Sequence, residues 1–292
     1  MVFRSLLCLP GLLVFAASLL SAQASYKEEI EAWRKAREAS LITDTGWTTV
    51  VGLFWLKNGD NSVGSDPKSG IELPRGAPAR VGTFVLRGGK TTFNAEPGVN
   101  VTSEGKPVQS LEMRRDTPGP ATVIALGDLS MFVLGRGERF AIRLRDKNSR
   151  FRREFKGLQW LPVDEAWRIQ AKWVAYTPGR RMAIESITGD TEQEPSPGYA
   201  SFRVAGREYR LEPVLEGDRL FFIFKDRTAG KETYPAGRFL YAAQPKDGTV
   251  LLDFNRAYSP PCAFSPYLTC PLPPPQNRLS VRIPAGELNY HH

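Results

Sequence analysis

The chain has 292 residues, with 39 Lys+Arg against 31 Asp+Glu, and its only two histidines, His291 and His292, are the last two residues. A Ser-His-Asp triad, a Cys-His dyad or a histidine-built metal site needs an imidazole inside the fold, so those chemistries are excluded. Hydrophobic residues at 41% and charged residues at 24% are those of a folded globular protein. The 26 glycines and 23 prolines are scattered as turn punctuation, which favours many short strands.

The first 24 residues read as an export leader. Arg4 gives a positive start, an apolar run from Leu6 to Leu20 follows, and Ala22-Gln23-Ala24 is an A-x-A cleavage signature. The apolar run is too short for a membrane anchor, and no other stretch approaches a span of about 20 apolar residues. The processed chain is therefore expected to be soluble, with no membrane span, and periplasmic or secreted. Cys8 lies inside the leader behind Leu7, which argues against a lipoprotein. Two cysteines then remain, Cys262 and Cys270, and in an exported protein such a close pair predicts a disulfide.

A helix is expected over residues 25–45. Ser25-Tyr26-Lys27-Glu28 has the S-x-x-E capping form, and Tyr26, Ile30, Trp33 and Ala36 share one face that would strap onto a sheet. Residues 46–146 are expected to form a β-sandwich-like unit. Its strands are the buried run Val50–Leu56, then Val81–Leu86, Val123–Leu126, Met131–Leu134 and Phe140–Arg145, with turns at Asn58-Gly59-Asp60 and Arg87-Gly88-Gly89. Phe140–Arg145 alternates strictly, which predicts one core face and one wet face. The cation-rich run from Arg143 to Lys156 reads as part of that solvated face, and export argues against nucleic acid as a partner. A second β unit is expected over 147–292. Ile169, Ala171, Trp173 and Ala175 alternate with polar residues, Phe202–Val204 and Tyr209–Leu211 flank an Ala205-Gly206 hairpin turn, and Leu220–Phe224 is wholly apolar. The predicted fold is mostly β: an antiparallel β-sandwich-like unit packed on a second β unit, with one N-terminal helix.

Near the C-terminus the sequence resembles a known signature. Asp253-Phe254-Asn255-Arg256-Ala257-Tyr258, Pro260-Pro261-Cys262-Ala263-Phe264, Thr269-Cys270-Pro271-Leu272-Pro273-Pro274-Pro275 and Asn277-Arg278-Leu279 carry it. It extends upstream through Phe224–Gly230, Thr233–Arg238, Ile142–Asp146 and Gly46-Trp47. The chain is similar to an uncharacterised bacterial family catalogued as a domain of unknown function. That resemblance implies a β-rich fold and no established activity, substrate or cofactor. A weaker resemblance joins Asn61–Asp66 and Gly70–Pro74 to forkhead-associated β-sandwiches, which read phosphothreonine. Ser65 stands where their arginine would be, and Arg80-Val81-Gly82-Thr83 lacks their serine and histidine, so this likeness concerns fold alone.

Two functional readings stay open. In the first, the protein binds a small molecule or an envelope protein, with ligand contacts from Asn255, Arg256, Tyr258, Tyr234 and Arg238. Arginine grips carboxylate or phosphate bidentately, and asparagine and tyrosine supply further hydrogen bonds. In the second, the protein is a histidine-free hydrolase, with Asp253 and Asp226 as acid and base, Asp164 and Glu165 as further carboxylates, and tryptophans such as Trp160, Trp167 and Trp173 stacking on sugar rings. The same polar cluster could instead be a buried network that orders the proline-rich tail, whose prolines lack N–H donors. No metal or cofactor site is predicted. The chain has no G-x-S-x-G elbow, no phosphate-binding loop and no C-x-x-C pair.

Overall fold

The computed structural model describes residues 11–291, with side chains from Ser25 onward. The expected leader over residues 1–24, including Cys8, lies outside the residues whose side chains are described. The N-terminal helix runs from Gly11 to Leu41, so Ser25 lies within it and does not cap it. The alanine- and leucine-rich run before Ser25 is itself a good helix former, and nothing in it ends the turn. The buried face follows Tyr26, Ile30, Trp33, Arg37 and Leu41. Ala36, expected on that face, is exposed, and Arg37 takes its place. Among the described residues no helix is long and apolar enough to cross a membrane.

Residues 50–146 form two facing sheets. One has six strands in the order Val50–Trp55, Arg139–Asp146, Leu129–Arg136, Val123–Leu126, Thr102–Ser103 and Lys106–Pro107. The other has five, in the order Ile71–Glu72, Gly59–Gly64, Gly82–Arg87, Lys90–Ala95 and Ser110–Met113. Phe84, Phe93, Met131, Val133, Ile142 and Leu144 fill the space between them. The pairing Arg87↔Lys90 places Gly88 and Gly89 in a two-residue hairpin loop, both at positive φ, as that turn type requires.

The second unit is also built from two sheets. A four-stranded sheet runs Arg207–Leu211, Thr191–Val204, Arg168–Glu185 and Thr249–Asp253, and a three-stranded sheet runs Val214–Glu216, Arg219–Phe224 and Arg238–Ala242. The expected hairpin at Ala205-Gly206 joins two of these strands through the pair Val204↔Arg207. Beyond the exposed Arg219, the strand Arg219–Phe224 is apolar because both of its faces are covered. Leu220, Phe222 and Phe224 point into the core between the two sheets. Phe221 and Ile223 point the other way, into a separate cluster with Val50, Met182, Ile184, Leu268 and Cys270.

That second cluster joins the two units, and it corrects one expectation. The outer face of the six-stranded sheet is not simply wet. Arg143 sits on it at 4% exposure, beside Phe132, Leu134 and Ala141, which are also buried. Alternation in the sequence marks the two faces of a strand, but it does not say whether a second layer covers the outer one. Of the cation-rich run, Lys147, Arg150, Arg153 and Lys156 are exposed as expected.

A disulfide joins Cys262 to Cys270, with Cα atoms 6.2 Å apart. It closes a small loop, so replacing both cysteines by serine should destabilise the oxidised protein by about 2.5 kcal/mol on the chain-entropy model, read as a lower urea midpoint at unchanged slope.

Candidate functional site

The strand Thr249–Asp253 ends at Asp253, whose carboxylate accepts from the Asn255 amide and so starts a 3-10 turn over Phe254–Arg256. The signature residues therefore leave strand geometry here. Tyr26 Oη donates to Asp253 Oδ1 at 2.8 Å, and Asn255 Nδ2 donates to Tyr26 Oη at 3.0 Å and to the Asp164 carbonyl at 2.8 Å. The Asp164 amide returns a bond to Asn255 Oδ1 at 3.0 Å. Arg256 pairs with Glu29 and Asp253. Burial, with the Asp253 carboxylate beside it, raises the Tyr26 phenol well above its ordinary range. These bonds fasten the helix and the Asp164 turn to the end of the strand.

Asp226 belongs to a different network. It pairs with Arg238 at 3.1 Å, and both side chains are 1% exposed. Thr228 Oγ1 and the Ile283 amide also donate to its carboxylate, at 2.8 Å and 2.7 Å. Arg238 further donates to the carbonyls of Ile283 and Ala285. Tyr234 lies half-buried against Leu41 and Phe264, and burial raises its phenol. No hydrogen bond or ion pair among the described residues links Asp226 to Asp253. Of the candidate binding residues, Arg256 and Tyr258 share one cleft, whereas Asn255, Tyr234 and Arg238 do not line it.

That cleft, about 800 Å³, lies between the two β units. The side of the three-stranded sheet turned away from its own core supplies Phe221, Phe239 and Tyr241, and Tyr258 extends this aromatic wall. The rings lock one another: Phe221 stacks on Tyr241 at 4.7 Å and meets Phe239 edge-on at 4.9 Å, and Phe239 meets Tyr258 edge-on at 5.8 Å. Arg136 and Arg143 come from the outer face of the six-stranded sheet, and Trp33 and Arg37 from the helix. The disulfide loop closes one side with Leu268, Thr269 and Cys270. Tyr241 Oη donates to Glu216 at 2.5 Å. Burial pushes the Tyr258 phenol up to about 12, so it remains a neutral donor at ordinary pH.

The cations of the cleft are not equivalent. Arg37 donates to Glu287 at 3.2 Å and to the Ser259 carbonyl at 2.9 Å, and lies 4.4 Å from the Tyr258 ring centroid. Arg136 pairs with Asp116 at 3.0 Å and bonds Thr269 Oγ1 at 3.1 Å. Arg219, at the exposed rim, lies over the Tyr241 ring at 4.1 Å, opposite Glu216 on the neighbouring strand. Arg143 has no carboxylate partner among the described residues, and its buried Nε and Nη2 make no hydrogen bond. Burial, with the charges of Arg136 and Arg145 nearby and only Asp116 opposing, holds its guanidinium down at about 9. Of the aromatic wall only Tyr258 is a site candidate in the sequence, and Arg143 is not one. The only sequence signal is an arginine in the middle of an alternating apolar strand.

A smaller cavity of about 310 Å³ adjoins the cleft and shares Arg136, Glu216, Phe221, Thr269 and Pro271 with it. Its remaining charges are acidic: Asp116, Asp190, Glu192 and Glu194. Burial, and then the neighbouring Glu192 charge, raises the Glu194 carboxyl. The two networks around Asp253 and Asp226 are expected to behave as structure. Arg238→Met, which strands the buried Asp226 charge, should cost about 3 to 5 kcal/mol in a denaturant titration.

A family model described as "Protein of unknown function (DUF1684)" matches residues 153–288. An uncharacterized protein of Haloarcula marismortui, solved by NMR, is 32% identical over 47% of this chain and 78% of that chain, with a TM-score of 0.40. A segment also weakly resembles FHA domains. One, from an analysis of phosphothreonine-dependent FHA domain interactions, is 20% identical over 33% of this chain and 96% of its own, with a TM-score of 0.23. Another, the FhaA FHA domain complexed with the intracellular domain of Rv3910, is 19% identical over 32% of this chain and 97% of its own, with a TM-score of 0.23. No curated protein matches the chain. The matched segment takes in the whole Asp253–Leu279 signature, so residues 153–288 carry a DUF1684 domain, a domain of unknown function.

Proposed function

We propose that the protein is an exported small-ligand-binding protein and that its site is the cleft between the two β units. The observation that carries this reading is the cleft itself: an aromatic wall opposite a set of arginines, at the junction of two units, with a volume suited to a small molecule. Its walls come from four parts of the chain, and the contacts between rings hold the aromatic side in place. The hydrolase reading has less support. Its two carboxylates, Asp226 and Asp253, sit in separate networks whose hydrogen bonds are already made within the protein. Export is supported by the leader over residues 1–24 and by the Cys262–Cys270 disulfide.

Two measurements test this. In a thermal-shift screen of the oxidised protein against sugars, short peptides, nucleotides and small aromatic compounds, at least one class should raise the melting point. A ligand at 100 times its dissociation constant contributes about 2.7 kcal/mol. The shift should disappear in Tyr241→Ala, and a hit that survives Tyr241→Ala would move the site elsewhere. Fractionation of cells expressing the full chain should find a product that begins after Ala24 outside the cytoplasm, and an unprocessed cytoplasmic product would overturn export.

A further inference from the structure

We propose that Arg143 is the anion receptor of the cleft and that the ligand carries a single carboxylate on an aromatic or aliphatic body. This rests on the reading of the cleft as a ligand site and names the class of ligand.

A guanidinium at 4% exposure is ordinarily surrounded by acceptors, because an unpaired buried charge is among the most destabilising features a fold can contain. Arg143 departs from that rule. Two of its three nitrogens are buried without a partner, and its nearest described aromatic contact is the Trp47 ring at 5.9 Å. Its neighbours on the same sheet face, Arg136 and Arg145, are also cations, which adds repulsion. The nearby Asp116 is already paired with Arg136. No carboxylate of the fold calls for an arginine here, and the side chains packed beside it on this face include the apolar Phe132, Leu134 and Ala141. An apolar residue would fit those surroundings better, and the arginine becomes intelligible when an anion in the cleft completes it.

The surrounding charges fix how much negative charge the ligand brings. Arg37, Arg136 and Arg256 are each paired with carboxylates of the protein, and Arg219 faces Glu216 across its own hairpin. Of the arginines that line the cleft, Arg143 alone is left without a carboxylate among the described residues, which matches one carboxylate. A phosphate dianion or a polyanion would meet Asp116, Asp190, Glu192 and Glu194 next door, whose field repels further negative charge. The neutral phenols of Tyr241 and Tyr258 and the rings of Phe221, Phe239 and Trp47 offer an apolar, π-rich bed for the rest of the molecule.

The test uses the oxidised wild-type chain with four probes: phenylacetate, hexanoate, the uncharged isostere phenylacetamide, and inorganic phosphate. Titration calorimetry and thermal shift should show binding of at least one carboxylate, at least tenfold weaker binding of the amide, and none of phosphate. Arg143→Met should weaken carboxylate binding at least tenfold while raising the melting point of the ligand-free protein, because the uncompensated charge is gone. Equal binding of acid and amide, or undiminished carboxylate binding by Arg143→Met, would overturn the anion receptor and leave the cleft as a ligand site. Binding of phosphate in preference to both carboxylates would overturn the single-charge argument. If none of the four binds while the wider screen gives a Tyr241-dependent hit, the anion class fails and the cleft reading stands. If both are flat, both fail. The wild-type comparison of acid with amide needs no variant, so it decides the matter even if Arg143→Met does not fold.

Discussion

The last thirty or so residues pose the constraint around which the rest of the molecule is arranged. They are rich in proline and run between the two β units without joining a sheet, so their backbone groups lack a ladder and must find partners one at a time. Isolated backbone pairs with neighbouring segments, such as Leu279 with Lys225 and Glu287 with Ala257, satisfy many of them, and side chains add further ties. Asn277, fully buried, donates to the carbonyls of Glu212 and Ile223 and accepts from the Glu212 amide. Arg238 holds the Ile283 and Ala285 carbonyls, and Asp226 holds the Ile283 amide. Ser265 bonds the Val50 carbonyl at the first strand of the sandwich, and Thr269 bonds Arg136 on the sheet above it. The polar residues of the signature are mostly accounted for by this task. Their burial and pairing explain why the densest polar sequence in the chain is not where the open cavity lies.

The cleft is a consequence of the same arrangement. The tail holds the three-stranded sheet and the outer face of the sandwich in fixed relation, with one side of each turned towards the other. Where the two faces touch, Val50, Ile223 and Leu268 pack. Where they diverge, an aromatic wall and an arginine face are left with space between them. The helix then closes a third side, held by Tyr26, Arg37 and the contact of Trp33 with Trp160 and Tyr258.

Local features of the fold were legible in the sequence, and layered ones were not. Two-residue turns such as Gly88-Gly89 and Ala205-Gly206 are set by backbone preference alone, so the hairpins could be placed. The apolar run Leu220–Phe224 announced a strand covered on both faces. The long hairpin of Arg168–Glu185 and Thr191–Val204 was only half visible, because the largely exposed stretch Tyr176–Arg181 interrupts the alternation before it resumes at Met182 and Ile184. The turn at Phe254–Arg256 was hidden because a capping aspartate looks like any strand residue until its partner amide is known. Arg143 was the most misleading residue. Strand period assigns it to the outer face, but only the tertiary arrangement shows that a second unit covers that face. The same limit applies to the site: Arg256 and Tyr258 were within reach of sequence reasoning, whereas Arg143, Trp47 and Tyr241 come together from three distant stretches of chain.

The anchoring of the helix would set a narrow tolerance for the proposed processing of the leader. A cut after Ala24 leaves Tyr26 as the second residue of the finished protein, and this phenol ties the strap to Asp253 and Asn255. A processing enzyme that slipped by two residues would remove that tie, while a cut further upstream would leave apolar chain beside it. If the leader is cut as proposed, the cleavage point lies two residues from the phenol that ties the strap, on the same helix that carries Trp33 and Arg37 to the cleft.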